Sequence, residues 1–193
     1  MLIGIDLDEV LSCFVRSFLI HYNQKHGTDF REEDFRSYDF EDTIGGNLES
    51  TILERNDFFG SPEFDSITPV AGSIESVDSL SQSHGLYVVT SRVSELKDRT
   101  LDWLDRYYRN KFRDVILTGD AVHAGKCTKP EICMNLGVEL FVEDNLKYAK
   151  SFIDSGMEVL LLDRPWNRSG DVGVRVYNWG EIVEYVQWSE TRS

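Results

Sequence analysis

Asp6 and Asp8 follow the apolar run Leu2-Ile3-Gly4-Ile5. Thr90, Ser91 and Arg92 follow Leu86-Tyr87-Val88-Val89, and Glu143 and Asp144 follow Leu140-Phe141-Val142. Lys129 lies between the last two groups, behind Thr128 and ahead of Pro130, where a helix is expected to start. Two carboxylates separated by one residue project towards one side while the backbone stays extended. Carboxylates gathered in this way suit Mg²⁺, a hard cation that takes oxygen ligands and keeps waters and phosphate oxygens around it. Hydroxyls and an ammonium suit the phosphate itself. Each group alone has a plainer account. Acids beyond a strand cap helices and turns, Thr128 can cap a helix with Pro130 in its first turn, and most lysines are solvated. Their succession at the ends of apolar runs is what points to a phosphate held beside a cation.

For these groups to meet, the elements before them must lie side by side. Leu2 to Ile5 reads as a buried strand. Leu11, Phe14, Val15, Phe18, Leu19 and Tyr22 then repeat at helical spacing, with Gly27 at the stop. From Pro69 onward, apolar strands at 86–89, 114–117, 140–142, 158–162 and 174–177 alternate with helical patterns at about 71–82, 94–109, 130–136, 146–155 and from Gly180. That alternation predicts an α/β fold, a doubly wound parallel sheet covered on both faces. In such sheets ligands bind beyond the carboxyl ends of the strands, at a topological switch point. Residues 28–68 break the pattern: they are acidic and aromatic, interrupted by Gly45-Gly46 and Ser61-Pro62. They are expected to form a small, mostly helical cap inserted after the first helix, with 1–27 and 69–193 as the core.

The 193-residue chain carries a net charge of −14. Residues 1–80 hold 17 acids and 5 bases, and the remainder 17 and 15. A surface this acidic repels a nucleic-acid backbone, whose binding depends on neutralising phosphates, so no nucleic-acid polymer is expected as a partner. A small phosphorylated ligand stays compatible, because a bound divalent cation inverts the local potential. No apolar run is long enough to span a bilayer, and no basic leader precedes the acid at position 6, so neither a membrane segment nor a signal peptide is expected. Cys13, Cys127 and Cys133 lack zinc-finger spacing and cannot all pair, so reduced thiols in a cytoplasm are the expectation.

The order of the four groups resembles the haloacid dehalogenase superfamily. Asp6-Leu7-Asp8-Glu9-Val10 looks like its first motif, Thr90 like its second, Lys129 like its third, and Glu143-Asp144 like its fourth. The fourth motif commonly begins with Asp; here it begins with Glu143. Lys126, beside Gly125, competes with Lys129 for the third. Within the superfamily the chain is most similar to the 5′(3′)-deoxyribonucleotidases and their bacterial nucleotidase relatives. The early insertion, the Asp-Glu-Val form of motif one and Arg164-Pro165-Trp166-Asn167 after a late strand carry that likeness.

The resemblance implies a Mg²⁺-dependent phosphomonoester hydrolase working through an aspartyl phosphate. Asp6 would be the nucleophile, and Asp8 the acid and base. Thr90, Ser91 and Lys129 would hold the phosphate. Asp6, the carbonyl of Asp8, and Asp144 would ligate the metal, with Glu143 behind them or bridging through water. An aromatic placed like Phe14 stacks on the base in deoxyribonucleotidases, which makes a nucleoside monophosphate the expected small-molecule partner. Alternatives are a same-fold phosphatase for another small phosphomonoester such as a sugar phosphate, a catalytically silent nucleotide-binding protein, and a receiver-type signalling domain. The last places its phosphate-accepting Asp after the third strand. Here Val115-Ile116-Leu117-Thr118 ends without an acid, the nearest being Asp120.

Overall fold

In the computed structural model, which describes residues 1–119, 122, 125–170 and 172–192, short runs rich in Val, Ile and Leu form one six-stranded sheet. Asp120 lies outside the described residues. β1 (Leu2–Ile5) pairs with β2 (Gly85–Thr90) on one side and β4 (Leu140–Glu143) on the other. β3 (Asp114–Leu117) extends the β2 side; β5 (Glu158–Leu162) and β6 (Val174–Val176) extend the β4 side. All five pairings are parallel. Chain order reverses across β1, which makes the crevice beyond β1, β2 and β4 the switch point. Ile5 stands in register with both Val88 and Val142, so the three strand ends come level there.

Alternation along the strands feeds two separate cores. Ile3, Ile5, Val88, Leu140, Val142, Leu160 and Leu162 pack with α1 (Phe14–His26), α5 (Ser73–Ser81), α6 (Lys97–Tyr108) and α9 (Trp179–Glu190). Val89, Phe141, Val159 and Leu161 face the other way, onto α7 (Lys129–Asn135) and α8 (Leu146–Asp154) through Cys133, Ala149 and Phe152. Apolar residues on both faces are what a parallel sheet with helices on each side requires.

The first helix begins at Phe14, three residues later than the periodicity from Leu11 predicts. Residues 7–12 instead close a turn in which the N–H groups of Leu11 and Ser12 both donate to the Leu7 carbonyl. Glu9 in that turn takes φ 66, a left-handed conformation uncommon outside glycine. Cys13 offers α1 no side-chain cap; the buried Glu9 carboxylate does so from a distance, accepting the Val15 N–H at 2.5 Å. At the other end Gly27 stops the helix in the left-handed conformation, as its position predicts.

Residues 28–68 contain a 3₁₀ turn (Glu32–Asp34), α2 (Glu41–Ile44), α3 (Leu48–Phe59) and α4 (Pro62–Asp65), with no strand. Asn47 caps α3, and Ser61 caps α4 ahead of Pro62. Their rings are pinned to α1: Phe58 meets Phe14 at 5.3 Å, and Phe40 meets Phe18 at 5.0 Å, both edge-on. Arg99 on α6 ties the segment to the sheet domain, gripping the Asp65 carboxylate and the Phe59 carbonyl. Among the described residues, no helix is long and apolar enough to cross a membrane.

Candidate active site

The loop beyond β1 delivers Asp6 into the crevice. Its N–H donates to the Val142 carbonyl at 3.0 Å, continuing the sheet pairing one residue past the strand. Across from it, Thr128 and Glu131 form a capping box that fixes the start of α7, so Lys129 emerges from the first turn pointing inward. The Lys129 ammonium donates to Asp6 Oδ1 and to Glu143 Oε2, each at 2.9 Å, and its side chain is fully buried. Phe141 and Tyr148 flank it, their ring centres 5.1 and 4.9 Å from Nζ. Burial opposes the charged lysine, but Asp6 and Glu143 outweigh it and hold the pKa above its usual range. Lys126, the rival for this role, is exposed.

Glu143 ends β4. Its Oε1 accepts the N–H groups of Asp144 and Asn145, both at 3.1 Å. Asp6, Glu143 and Asp144 each contribute a carboxylate oxygen to a group whose members all lie within 4.8 Å of one another. The glutamate therefore stands close enough to share one group with the two aspartates. The Asp8 carboxylate is outside this group. Both its oxygens are taken by Arg92, Nε at 3.0 Å and Nη2 at 2.7 Å, with Ser12 Oγ adding a bond at 2.9 Å. Arg92 is itself braced by Thr100 at 3.0 Å and lies over the Phe64 ring.

Three buried carboxylates face one ammonium, and the imbalance bears on Asp6 and Asp144. Burial, then Glu143 and Asp8, push Asp6 up to about 7 against the pull of Lys129. Burial, then Glu143, Asp6 and Glu9, hold Asp144 well above the carboxylate range. A site in this state is short of positive charge. Closely set, buried, oxygen-only donors fit a hard divalent cation, which would supply that charge.

At the end of β2, the Thr90 hydroxyl accepts the Arg92 N–H at 3.2 Å, and its carbonyl accepts Thr118. The Ser91 hydroxyl is buried with no hydrogen-bond partner among the described residues. A buried polar atom left unsatisfied is uncommon, and this hydroxyl is free to bond a group brought to the site. Asp8, Ser91 and Arg92 open onto a cavity of about 310 Å³ whose far walls are Phe14, Tyr38 and Phe59. Phe14 thus touches the cavity while packing on Phe58. Tyr38 is half exposed overall, yet burial of its phenol and the charges of Asp144, Asp6, Glu143 and Asp8 hold that group well above its ordinary pKa. Arg55 and Asn56 of α3 complete the rim.

Some of these positions carried no role in the sequence reading. Arg92 was visible as a guanidinium at a strand end, but its partner Asp8 lies 84 residues away. Arg164-Pro165-Trp166-Asn167 proves to strap the two acid loops together. Arg164 donates to the Glu9 carbonyl at 3.0 and 2.5 Å, the Trp166 indole N–H donates to Asp144 Oδ2 at 2.7 Å, and Asn167 Nδ2 donates to the Asp144 carbonyl at 2.7 Å. Trp166 does pack its loop, as a buried tryptophan there would, but it also reaches a site carboxylate.

The sequence pattern of the family described as 5′ nucleotidase, deoxy (pyrimidine), cytosolic type C protein matches residues 1–190. The 5′(3′)-deoxyribonucleotidase of Bacillus subtilis is 24% identical over 184 residues, covering 93% of this chain and 95% of that protein. YqfW of the same organism is 32% identical over 118 residues, 59% of this chain but only 55% of that protein. Among solved structures, the haloacid dehalogenase-like hydrolase SP0104 from Streptococcus pneumoniae superposes with a TM-score of 0.68 at 12% identity, covering 96% of this chain and 97% of that one.

Proposed function

The chain belongs to the 5′ nucleotidase, deoxy (pyrimidine), cytosolic type C family and is a phosphomonoester hydrolase of haloacid dehalogenase-like fold; from that premise we propose that Asp6 is its nucleophile and a nucleoside monophosphate its substrate. The observation that carries the proposal is the Lys129 ammonium shared by Asp6 and Glu143, beside Asp144 and the unpartnered Ser91 hydroxyl.

The difficulty of the reaction is electrostatic, since a carboxylate must approach a phosphate dianion. Each like-charge pair at about 4 Å costs roughly 4 kcal/mol at an effective dielectric near 20. Lys129 offsets part of this, and the Ser91 and Thr90 hydroxyls hold phosphoryl oxygens. An Asp6 oxygen attacks phosphorus, the ester P–O bond breaks, and Asp8 gives its proton to the departing alkoxide. Water then attacks the aspartyl phosphate and yields its proton to Asp8. The phosphorus–Asp6 bond breaks, releasing inorganic phosphate and regenerating the carboxylate. Arg92 and Ser12 hold both Asp8 oxygens here, so the protonated Asp8 of the first transfer requires one of these contacts to be released. Asp6, the carbonyl of Asp8, and Asp144 are the residues that would hold Mg²⁺, with Glu143 close enough to join them; the ion would neutralise charge on the phosphate. Placement and electrostatics thus supply most of the catalysis.

Residues 28–68 act in this reading as a cap over the leaving group. Phe14, Tyr38 and Phe59 line the cavity where a nucleoside would lie, and aromatic faces suit a planar base. The acidic surface and reduced cysteines accord with a cytoplasmic enzyme acting on free nucleotides. The test compares kcat/KM for deoxyuridine and thymidine monophosphates with that for a hexose phosphate, alongside an Asp6→Asn variant. A nucleotide preference and loss of all turnover in a folded variant are expected. Near-normal activity of Asp6→Asn would sink the mechanism, and equal values across the panel would end the nucleotide reading.

A further inference from the structure

Asp144 reaches the acid group from the loop after β4, but what fixes its carboxylate comes from the loop after β5. The Trp166 indole N–H, itself buried, donates to Asp144 Oδ2 at 2.7 Å, and Asn167 Nδ2 holds the Asp144 backbone carbonyl at the same distance. No described side chain other than the indole is seen to donate to that carboxylate. With a directional donor on Oδ2, the group cannot turn freely about its terminal torsion, and Oδ1 is the oxygen without a described side-chain donor.

We propose that Trp166 is a positioning residue that holds Asp144 as a one-oxygen ligand and so tunes the acid group for Mg²⁺ over Ca²⁺. This rests on the reading of Asp6, Glu143 and Asp144 as a cation site. Mg²⁺ demands near-octahedral coordination at short distances and takes single carboxylate oxygens, whereas Ca²⁺ accepts two oxygens of one carboxylate in a larger, looser shell. An indole bond on Oδ2 takes one of that oxygen's lone pairs and fixes the plane of the carboxylate, which favours the first mode over the second. The choice of tryptophan fits the task, because indole is a donor only and its rigid ring is buried against its surroundings. Phe35, from the 28–68 segment, packs edge-on against the same ring at 6.3 Å.

Trp166→Phe removes the N–H and keeps an aromatic ring. Titration calorimetry without substrate should show Mg²⁺ binding weakened about tenfold, the lower end of what lost hydrogen bonds to metal ligands cost. Ca²⁺ binding should weaken less or strengthen, so the Mg²⁺/Ca²⁺ affinity ratio falls. Phe35→Leu, which loosens the ring's packing but leaves the indole bond, should preserve that ratio. Equal weakening of both ions by Trp166→Phe, or the same fall in ratio from Phe35→Leu, would reduce Trp166 to packing and overturn the proposal. The unsubstituted protein supplies a second measurement should Trp166→Phe fold poorly. With ¹⁵N-labelled tryptophan, the Trp166 indole signal should move on Mg²⁺ addition, while those of Trp103 and Trp179, which donate to the Ile67 and Val10 carbonyls, stay in place. A stationary Trp166 signal at saturating Mg²⁺ would also overturn it. Absence of Mg²⁺ binding to the unsubstituted chain would remove the cation site, and this proposal with it. Unchanged affinities in a folded Trp166→Phe would remove only the proposal.

Discussion

Replacing Lys129 by Met takes away the ammonium that Asp6 and Glu143 share, but keeps an apolar stem between Phe141 and Tyr148. The acids are then buried without a counter-charge, and one further carboxyl of the group must take a proton. For a carboxyl of ordinary pKa, about 4, protonation at about pH 7 costs roughly 4 kcal/mol, which caps the loss. Removing one partner of a buried ion pair independently costs about 3–5 kcal/mol. Both routes give about 4 kcal/mol, a large share of a typical domain's stability of about 5–15 kcal/mol. The sign with pH follows from proton linkage. In the variant this carboxyl's folded-state pKa is raised, so between its unfolded value and the working pH the folded chain binds a proton that the unfolded chain releases. Stability therefore falls as pH rises through that window, and the deficit should shrink by roughly 1.4 kcal/mol per pH unit on acidification towards about pH 4. Urea denaturation in chelator at several pH values measures it, with Lys126→Ala as the exposed control. A loss at neutral pH below about 1 kcal/mol, the level of a surface ion pair, or a deficit that does not change with pH would refute the reasoning.

Two other outcomes follow from the site. Chelation should abolish turnover, Mg²⁺ should restore it, and Ca²⁺ should restore little, because its looser shell misplaces the nucleophile; full activity in excess chelator would contradict this. Phe14→Ala should lower kcat/KM for a nucleoside monophosphate by about tenfold to a hundredfold, the worth of about 1–3 kcal/mol of base stacking, and leave a hexose phosphate unaffected. A nucleotide preference that survives the change would assign base recognition to Tyr38 and Phe59.

Most of the sheet was legible because a buried parallel strand has to be a short apolar run, and each run ends where the polar groups begin. The pairing of Lys129 with Asp6 and Glu143 was accessible on the same ground, since strand ends and a helix start must meet at the switch point. What escaped was set by tertiary contact. Helical periodicity placed Leu11 in the first helix because it is apolar and buried, but a buried turn residue has the same signature. The aromatics of 28–68 divide in a way no pattern announces: Phe35, Phe40, Phe58 and Phe64 are core, whereas Tyr38 and Phe59 face the cavity. Glu143, where the related motif commonly has Asp, turns its Oε1 onto the N–H groups that follow it and lies in one group with Asp6 and Asp144, an arrangement no sequence pattern announces.

The site is also divided electrically, and the division bears on how two aspartates two residues apart can do different work. Asp6 shares a buried compartment with Glu143, Asp144 and Lys129, where acids outnumber cations and burial lifts its pKa. Asp8 stands in a second compartment, part-exposed at the cavity wall, where Arg92 and Ser12 satisfy both of its oxygens. Environments that separate two carboxyls are how one site assigns an acid–base role to one and a different role to the other. The fold achieves this with a single turn. Leu7 is buried between them, and the chain reverses at Glu9. A cation added to the first compartment would favour the ionised form of Asp6, the form in which we propose it attacks, while Asp8 keeps its Arg92 contact. The two proposed roles would then answer to different close partners, Lys129 for Asp6 and Arg92 with Ser12 for Asp8.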